Sequence, residues 1–360
     1  MVVLVLAGCT ADGGLIYSTI ETATKTTTGA DTARLTATVS DLVLAPVANT
    51  YYVASGTIYQ GVLSSGALTW TPSGTSQTPV FNPDALSLAN ALVYVPSTST
   101  WWGGFTTSSA SLGIYKASGN QPSTWAAETD TNVAGKQVML LRVANNNLFM
   151  SGGTLAGSPV QYQYELDVNT GSGWTAPTVT GLANPITGVA WDGTRYYYSS
   201  GALVNSDTSA NGAFATTEAT GAASTDTVNG LFGDPARSRV FALTTSEGLY
   251  YRVSGGAWTQ VAAPTVSSVT VSLLSLAGPV DSAGNVYLVG TDGYGFYTLT
   301  LNNNTLTRSA DSTIALYTGS VRNILVDPSN GTVLMGTNGL GVWSATFDTT
   351  GALATAWTHD

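Results

Sequence analysis

The stretch LVDPSNGTVLMGTNGLGVWSATFD, from Leu325 to Asp348, has the pattern of three short strands joined by two turns. Asn, Asp, Ser and Gly occupy the turns, because Asn and Asp tolerate left-handed backbone and bond to their own main chain, and Gly has no side chain to clash. Val, Leu, Met and Trp fill the strands between them. The stretch therefore predicts an antiparallel unit of short strands.

Six more segments have this pattern and can be aligned on the turn position of Asp327. The aligned residues are Asn49, Asn90, Asn145, Asp192, Asp234 and Asp281. Their separations, about 41 to 55 residues, match the period of roughly 40 to 50 residues of one four-stranded propeller blade. The chain thus repeats one unit seven times.

Each copy continues with a third strand that carries an aromatic residue and, in most copies, a polar fourth strand with a tryptophan. The third strands are GTIYQGVL, SLGIYKAS, VQYQYELD, EGLYYRVS, GYGFYTLT and GLGVWSAT, and the tryptophans are Trp70, Trp125, Trp174, Trp258 and Trp357. The fourth copy is the weakest, because it lacks the aromatic on strand three and has Phe214 in place of the tryptophan. The sequence predicts an all-β fold, a β-propeller over residues 41–360 with seven four-stranded blades.

Residues 10–40 fit this count less well. Gly13 to Thr22 reads as a further third strand, and Ala33 to Val39 as its fourth strand. These strands can displace the outer pair of the last blade, form an outer hairpin on a seven-bladed ring, or belong to an incomplete eighth blade. Pairing of the two termini in a seven-bladed ring is the favoured interpretation, because it leaves no loose sheet edge.

The composition limits the functional classes. Of 360 residues only 9% are charged, the net charge is −10, and the 11 Lys and Arg residues do not cluster. Nucleic-acid binding needs a basic stripe along the phosphates, so it is not expected. The acidic, Lys-poor surface rich in Thr and Ser suits an exported protein.

The N-terminus predicts lipid attachment. Leu6-Ala7-Gly8-Cys9 resembles a bacterial lipobox, and in that family the cysteine becomes the acylated first residue after cleavage. Residues 1–9 would then be a remnant of a signal peptide, and the protein would be held in a membrane by lipid. Only eight residues precede Cys9 and none is basic, so we expect the true start to lie upstream. The alternative is an apolar terminus with an incidental free cysteine.

The copies VLMGTNGLGVWSAT and VYLVGTDGYGFYTLT resemble the Gly-Thr-x-Gly-x-Gly-aromatic core of bacterial neuraminidase repeats, sortilin-type repeats and sensor-kinase regulator propellers. This resemblance implies a fold rather than an activity, since such repeats occur in glycosidases and receptors alike. The chain has no Ser-x-Asp-x-Gly-x-Thr-Trp box of the sialidase kind and no Gly-His…Trp-Asp pair of the WD-repeat kind.

A candidate ligand-binding site follows from the longest interval, Asn90 to Asn145, which includes STSTWWGGFTTSSAS. We expect this segment to be a loop between strands two and three, on the face that also holds the links between blades. Trp101, Trp102 and Phe105 would then offer flat apolar surfaces to a sugar ring or a protein partner. The alternative is that these aromatic side chains fold down and cover blade edges.

Catalytic and cofactor sites have little support. The single histidine, His359, makes a Ser-His-Asp triad or a histidine-based metal site improbable, and no Gly-rich phosphate loop precedes a helix. No metal or cofactor is expected. Carboxylates from different blades could meet at the propeller mouth as in a glycosidase. The candidates are Glu128, Asp130, Glu218, Asp226 and Asp311.

Three functions are therefore considered. The favoured one is a non-enzymatic lipoprotein of the bacterial outer membrane or cell surface, or alternatively a secreted protein, that binds a protein or glycan or acts as a scaffold. The second is a structural subunit that self-associates by strand exchange through its N-terminal strands. The third is a glycan hydrolase or lyase. The identity of the ligand and the oligomeric state do not follow from the sequence.

Overall fold

The chain forms a ring of seven antiparallel blades, seen in a computed structural model that describes residues 38–70, 81, 83, 88–106, 111–152, 162–167, 173–176, 186–210, 212–214, 216–218, 220–223, 225–308 and 315–360. In each blade the strands follow one another in sequence order from the ring axis outward. The predicted seven-bladed β-propeller is confirmed, and the alternative of eight blades is not what the chain adopts.

The strands are grouped by blade in chain order. Blade 1 contains β1 (Asp41–Leu44), β2 (Thr50–Ser55), β3 (Thr57–Ser64) and β4 (Ala67–Trp70). Blade 2 contains β5 (Leu88–Val95), β6 (Thr100–Thr106), β7 (Ser111–Ser118) and β8 (Trp125–Ala127). Blade 3 contains β9 (Leu140–Ala144), β10 (Asn147–Gly152) and β11 (Tyr162–Asp167). Blade 4 contains β12 (Ile186–Trp191), β13 (Tyr196–Ser200), β14 (Leu203–Asp207) and β15 (Thr216–Thr217).

The remaining blades follow the same scheme. Blade 5 contains β16 (Val228–Asp234), β17 (Arg239–Thr244), β18 (Gly248–Val253) and β19 (Thr259–Ala262). A small hairpin, β20 (Thr265–Val266) and β21 (Val269–Thr270), leads to blade 6. Blade 6 contains β22 (Leu273–Ala277), β23 (Val286–Thr291), β24 (Phe296–Thr300) and β25 (Thr305–Arg308). Blade 7 contains β26 (Val321–Asp327), β27 (Thr332–Thr337), β28 (Val342–Thr346) and β29 (Thr358–His359).

Two details complete the element list. In blade 3 the place of the fourth strand is taken by Thr175, which forms a single antiparallel bridge with Glu165 of β11. The helical segments of the described chain are two short 3₁₀ turns, Pro235–Arg237 and Ala315–Thr318. No helix in these ranges has the length and apolarity that crossing a membrane would require.

The hydrophobic core consists of seven clusters, and each lies between two neighbouring blades. The predicted outer tryptophans take part: Trp70, Trp174 and Trp357 are buried. Phe214 replaces a tryptophan as expected, since it is fully buried and its ring lies 3.9 Å from that of Tyr198. Because a single blade has no second layer of its own, its two faces are buried only by its neighbours.

Blade 2 differs from the sequence prediction in its register. Asn90 lies inside β5, at a β-bulge between Ala89 and Ala91, and not in the turn between strands one and two. That turn is formed by residues 96–99, and TWWGGFT is the second strand, β6, rather than a loop. The glycines suggested a loop, but they are needed for packing: a Cβ atom on Gly104 would lie 2.5 Å from Val138 of blade 3.

The ring is closed by contacts between blade 1 and blade 7. The N–H of Val39 donates to the carbonyl of Thr337 at 2.9 Å, and the hydroxyl of Tyr51 donates to Asp327 at 2.9 Å. Blade 7 has its own outer strands, β28 and β29, so N-terminal strands do not displace them. The favoured pairing of the two termini through the strands of residues 10–40 stays a prediction. The strand predicted over Gly13 to Thr22, and most of residues 10–40, lie outside the described residues.

A repeated hydrogen bond, here called the interblade clip, ties neighbouring blades together on the channel side. In each clip a polar side chain donates to a backbone carbonyl at, or just before, the start of the next blade's first strand. The donor–acceptor pairs are Asn90–Val138, Ser151–Ile186, Thr187–Val228, Asn229–Leu273, Ser275–Val321 and Asn323–Val39, at 2.5 to 3.4 Å. Between blades 1 and 2 a backbone bond of 2.9 Å, from Ala89 to Gly56, has this role.

Candidate functional site: the central channel

The first strands of all seven blades surround a central channel with a volume of about 500 Å³. Each first strand begins at the end of the ring where the blades are linked, here called the loop face. It ends at the turn between strands one and two, on the opposite turn face. Lining residues near the start of a first strand, such as Asn229 and Asn323, are polar, whereas Trp191 and Phe232 line the channel near the ends of their strands.

The channel differs in charge from the rest of the molecule. Its charged lining residues within the described chain are Asp41, Arg142 and Arg322, which gives one negative and two positive charges. The whole chain has a net charge of −10. Two of only 11 basic residues thus lie in the one cavity that every blade helps to form.

Arg142 is held in place by Asp41. Its Nη1 donates to Asp41 Oδ2 at 2.9 Å and to the carbonyl of Leu141 at 2.7 Å. Asp41 also accepts the main-chain N–H groups of Leu42 and Leu92, each at 3.2 Å. Its side chain is 9% exposed, while that of Arg142 is 40% exposed. The carboxylate is thus fixed by groups from blades 1, 2 and 3, and in turn it fixes one nitrogen of the guanidinium group.

Arg322 is the second residue of β26 and is exposed at the loop-face end of the channel. Within the described part of the chain, its guanidinium group has no hydrogen-bond or ion-pair partner. Its neighbour Asn323 donates the interblade clip at 3.0 Å to Val39, which lies two residues before Asp41 in the chain. The backbone under Arg322 is therefore fixed, and the charge is available to a ligand.

Below these charges the side chains of the channel wall are mostly aliphatic and aromatic, with the polar Asn145 at the turn face. Half-buried aliphatic or aromatic residues of all seven blades line it: Val43, Leu44, Tyr94, Leu140, Val143, Trp191, Leu231, Phe232, Leu274, Ile324 and Leu325. Trp191 packs on Tyr196, with the ring centres 4.4 Å apart, and Tyr94 packs on Trp101 at 4.7 Å. These aromatic walls are rigid, because buried neighbours support them from behind.

The expected exposed aromatic site does not form. Trp101, Trp102 and Phe105 lie on β6 and are 0%, 5% and 0% exposed. Trp101 donates its indole N–H to the carbonyl of Gly119 at 2.9 Å and packs in the cluster between blades 1 and 2. Trp102 faces the other way, into the cluster between blades 2 and 3. The three side chains therefore stabilise the fold, which corrects the prediction of a ligand-binding loop.

The acids proposed for a glycosidase do not meet in the channel. The lining residues that the structure describes include none of Glu128, Asp130, Glu218 and Asp226, and Asp311 falls outside the described residues. Glu128 pairs with Lys116 at 2.9 Å, and Glu218 forms a buried ion pair with Arg252. Asp130 and Asp226 accept main-chain N–H groups of nearby turns. Each of these four carboxylates has a local structural partner.

Other sequence-predicted sites have different outcomes. Cys9, the candidate lipidation residue, lies outside the described residues. Asp207, the last residue of β14, accepts the N–H groups of Ser209 and Phe214. Across the described ranges, no group of three or more His, Cys, Asp or Glu side chains is placed to hold a metal ion.

A second cavity of about 500 Å³ lies between blades 3 and 4. Its wall includes Glu165, which is 5% exposed and accepts the hydroxyl of Thr175 at 3.1 Å. Burial raises the pKa of Glu165, the Thr175 hydrogen bond lowers it in part, and the nearby Asp167 raises it further. The net effect is a raised pKa, so Glu165 ionises less readily than an exposed glutamate does.

The channel arginines were missed at the sequence level, although a signal was present. Arg142 and Arg322 are single charges within the apolar runs MLLRVA and VRNILV, in a chain with only 9% charged residues. A charge inside a first strand can be solvated only where that strand faces the channel. This reasoning would have found both residues once the first strands were known.

No protein-family model matches the chain, and a comparison with curated protein sequences finds no match. Solved structures with the same fold include a chain of the mitotic checkpoint complex, at 13% identity and a TM-score of 0.60, where the match covers 86% of this chain and 91% of that one. Another is YCF48 bound to a D1 peptide, at 11% identity and a TM-score of 0.60, covering 88% and 94%.

A third similar structure is the extracellular domain assigned to a one-component system of B. thetaiotaomicron. It has 18% identity and a TM-score of 0.62, and the match covers 88% of this chain and 40% of that one. At these identities the similarity concerns the fold alone. Together with the strand order, it identifies the architecture as a seven-bladed β-propeller.

Proposed function

We propose that this protein is a non-enzymatic binding module whose ligand enters the central channel. The observation that carries the proposal is the channel wall itself, where half-buried apolar side chains and two arginines face a cavity of about 500 Å³. Ligand sites are usually concave and apolar, with a few polar groups that fix orientation. The seven interblade clusters, in contrast, are filled with buried side chains.

The absence of catalysis is part of the proposal. Four of the five carboxylates considered for glycan cleavage, Glu128, Asp130, Glu218 and Asp226, take part in local hydrogen bonds or ion pairs. His359 stacks on Trp343, with the ring centres 4.7 Å apart. A binding role therefore accounts for the site with fewer assumptions than hydrolysis does.

The cellular setting is also proposed, from the sequence. Cys9 in its lipobox-like setting supports a lipid-anchored protein at the bacterial outer membrane or cell surface, with secretion as the alternative. One of the structures with the same fold is an extracellular bacterial domain, and another was solved with a bound peptide. Mass spectrometry of the mature N-terminal peptide tests this: a thioether-linked diacylglycerol on Cys9 is expected, and an unmodified thiol in cells would contradict it.

The binding site can be tested by filling the channel. Gly230 lines the channel, and a Cβ atom on it would have only the carbonyl oxygen of Leu274 nearby, at 3.8 Å, so the indole of Gly230→Trp is expected to enter the cavity. Leu353→Trp is the matched control, since Leu353 is 43% exposed and outside the channel. Ligands would be selected from a displayed peptide library and from a glycan array.

The expected result is that selected ligands bind the wild type and Leu353→Trp equally and fail to bind Gly230→Trp. Ligands that bind Gly230→Trp undiminished would place the site elsewhere on the molecule. Cleavage of any bound glycan, followed by product analysis, would replace the binding role with an enzymatic one.

A further inference from the structure

We propose that the loop-face end of the channel binds a carboxylate attached to an apolar chain, with Arg142 and Arg322 pairing with the carboxylate. This inference rests on the proposed function, since it takes the channel to be the binding site. It adds the chemical class of the ligand, which the fold alone does not determine.

The channel carries a charge of opposite sign to that of the whole chain. The described lining residues give the channel a charge of +1, from two arginines and Asp41, inside a chain of −10. A cavity with low-dielectric walls concentrates the field of its own charges, so the channel attracts anions that the outer surface repels. Arginine is suited to carboxylates because its planar group offers two parallel N–H donors.

Arg142 has N–H donors that no acceptor of the described chain uses. A guanidinium group has five N–H donors, and Nη1 carries two of them. Both Nη1 hydrogens are used, by Asp41 and by the Leu141 carbonyl. The Nε and Nη2 edge has no acceptor in the described part of the chain, and the side chain is 40% exposed. Asp41 is therefore a positioning residue that presents the two-donor edge of Arg142 to the channel.

Arg322 lines the channel and its side chain is exposed. It lies at the same end of the channel, and the described chain provides it with no anion. A single carboxylate at this end would have one arginine that is already oriented and one that is free to move toward it. Such charge-assisted hydrogen bonds are roughly twice as strong as neutral ones.

The rest of the channel wall indicates the chemistry of the remainder of the ligand. Beyond the arginines the wall is made of aliphatic and aromatic side chains such as Val143, Leu231 and Ile324. Hydroxyl groups of a sugar would lose water there and find few side-chain partners, which disfavours their binding. An alkyl or apolar side chain gains free energy from the same surface. The channel therefore favours an apolar acid over an acidic glycan.

Two sources share this chemistry: a peptide that ends in apolar residues, and a small aliphatic acid. The probes are an N-acetylated pentapeptide ending in two leucines with a free carboxylate, the same peptide as its C-terminal amide, octanoate, octanol and a trigalacturonate. Binding would be measured by isothermal titration calorimetry at low salt, supported by the fluorescence of Trp191, which lines the channel.

The variants are designed to keep the fold. Arg322→Gln removes a charge without a partner in the described chain, and Arg322→Lys keeps the charge but loses the planar two-donor geometry. Arg142→Gln combined with Asp41→Asn avoids leaving a buried carboxylate unpaired. Arg195→Gln is the control, because Arg195 lies in the turn after β12 and outside the channel.

The expected result is that the free-acid peptide or octanoate binds at least tenfold more tightly than its amide or alcohol, and that adding salt weakens binding. Arg322→Gln should weaken binding about tenfold, on the order of 1.4 kcal/mol, with a smaller loss for Arg322→Lys and none for Arg195→Gln. Binding of the free-acid peptide but not octanoate would indicate a peptide ligand, and the reverse would indicate a small aliphatic acid.

Three results would overturn the inference. They are equal binding of acid and neutral probes, tighter binding of trigalacturonate than of the apolar acids, or no binding of any acid at millimolar concentration. If displayed ligands are still blocked by Gly230→Trp in those cases, the channel remains the site and only the ligand class is wrong. If they are not blocked, the proposed function has failed as well.

Discussion

The hydroxyl of Tyr51 in blade 1 donates a hydrogen bond of 2.9 Å to the carboxylate of Asp327 in blade 7, 276 positions along the chain. Both side chains are buried, with exposures of 0% and 2%. The same relationship joins blades 5 and 6, where Tyr287 donates to Asp234 at 2.6 Å. Two of the turn acids, Asp327 and Asp234, thus accept a tyrosine of the following blade, whereas Asp192 accepts Tyr197 of its own blade.

Replacing Tyr51 by Phe should lower the free energy of unfolding by about 1.5–3 kcal/mol, because a buried carboxylate loses a donor. Chemical denaturation measures the change. Tyr52→Phe is the matched control on the same strand: Tyr52 is 1% exposed, its pKa is raised to about 12 by burial, and no hydrogen bond of its hydroxyl accounts for the shift. Equal losses in the two variants would contradict the proposed role of the Tyr51–Asp327 contact.

Replacing Asn323 by Ala removes the interblade clip that joins blade 7 to Val39. A loss of about 1 kcal/mol is expected, since the backbone carbonyl loses its donor in a partly buried place. Asn302→Ala, at an exposed position in a turn, should change stability little. If the two variants unfold at the same denaturant concentration, the clip contributes no stability.

Two glycines of β16 should respond differently to replacement by alanine. A Cβ atom on Gly233 would overlap the backbone carbonyl of Trp191 in blade 4, whereas on Gly230 the nearest atom would be 3.8 Å away. Because strands cannot separate without disturbing the blade contact, Gly233→Ala should cost about 1–3 kcal/mol. Gly230→Ala should be close to neutral. Thermal unfolding of the two variants gives the comparison, and similar melting temperatures would argue against the close approach.

The stability of the protein should depend on pH through Glu165. Burial raises its pKa above the ordinary value of 4.5 in the folded state. Its favourable contribution is therefore complete below pH 4.5 and is lost as the pH rises through the folded pKa. Glu165→Gln should accordingly gain stability relative to the wild type between pH 4 and pH 8, measured by denaturation at each pH. A difference that does not change with pH would rule this out.

Asp192 should show the opposite dependence. Burial raises its pKa, but hydrogen bonds from Tyr197, Thr194 and Arg195 outweigh this and hold the pKa below the ordinary value of 3.8. Its contribution is present above pH 3.8 and is lost as the pH falls through the folded pKa. The stability gap between the wild type and Asp192→Asn should therefore narrow in acid. A gap that widens in acid would show that these hydrogen bonds do not favour the ionised form.

The fold could be predicted because the repeat is local. The third strand of blade 2, SLGIYKAS, is observed as β7 (Ser111–Ser118) with the predicted bounds, and Phe214 replaces a tryptophan as expected. Such patterns depend on short-range strand and turn preferences that are visible in the sequence.

The candidate site could not be predicted in the same way. Asn90 has the residue type of a turn but donates its amide to Val138 of the next blade, a contact that depends on how two blades pack. The error moved Trp101 and Trp102 from a buried strand to an exposed loop. Arg142 reaches Asp41 across 101 positions of sequence, so their pairing follows only from the closed ring.

The interblade clips use a side chain on one blade and only main chain on the next. Each clip therefore needs a particular side chain on only one of the two blades. Its acceptor is a backbone carbonyl, which every residue has. Substitution of the acceptor residue, or duplication of a whole blade, would leave such a hydrogen bond possible. A contact between two matched side chains would instead require both residues to change together. This architecture can therefore vary what its channel recognises while the ring that surrounds the channel stays assembled.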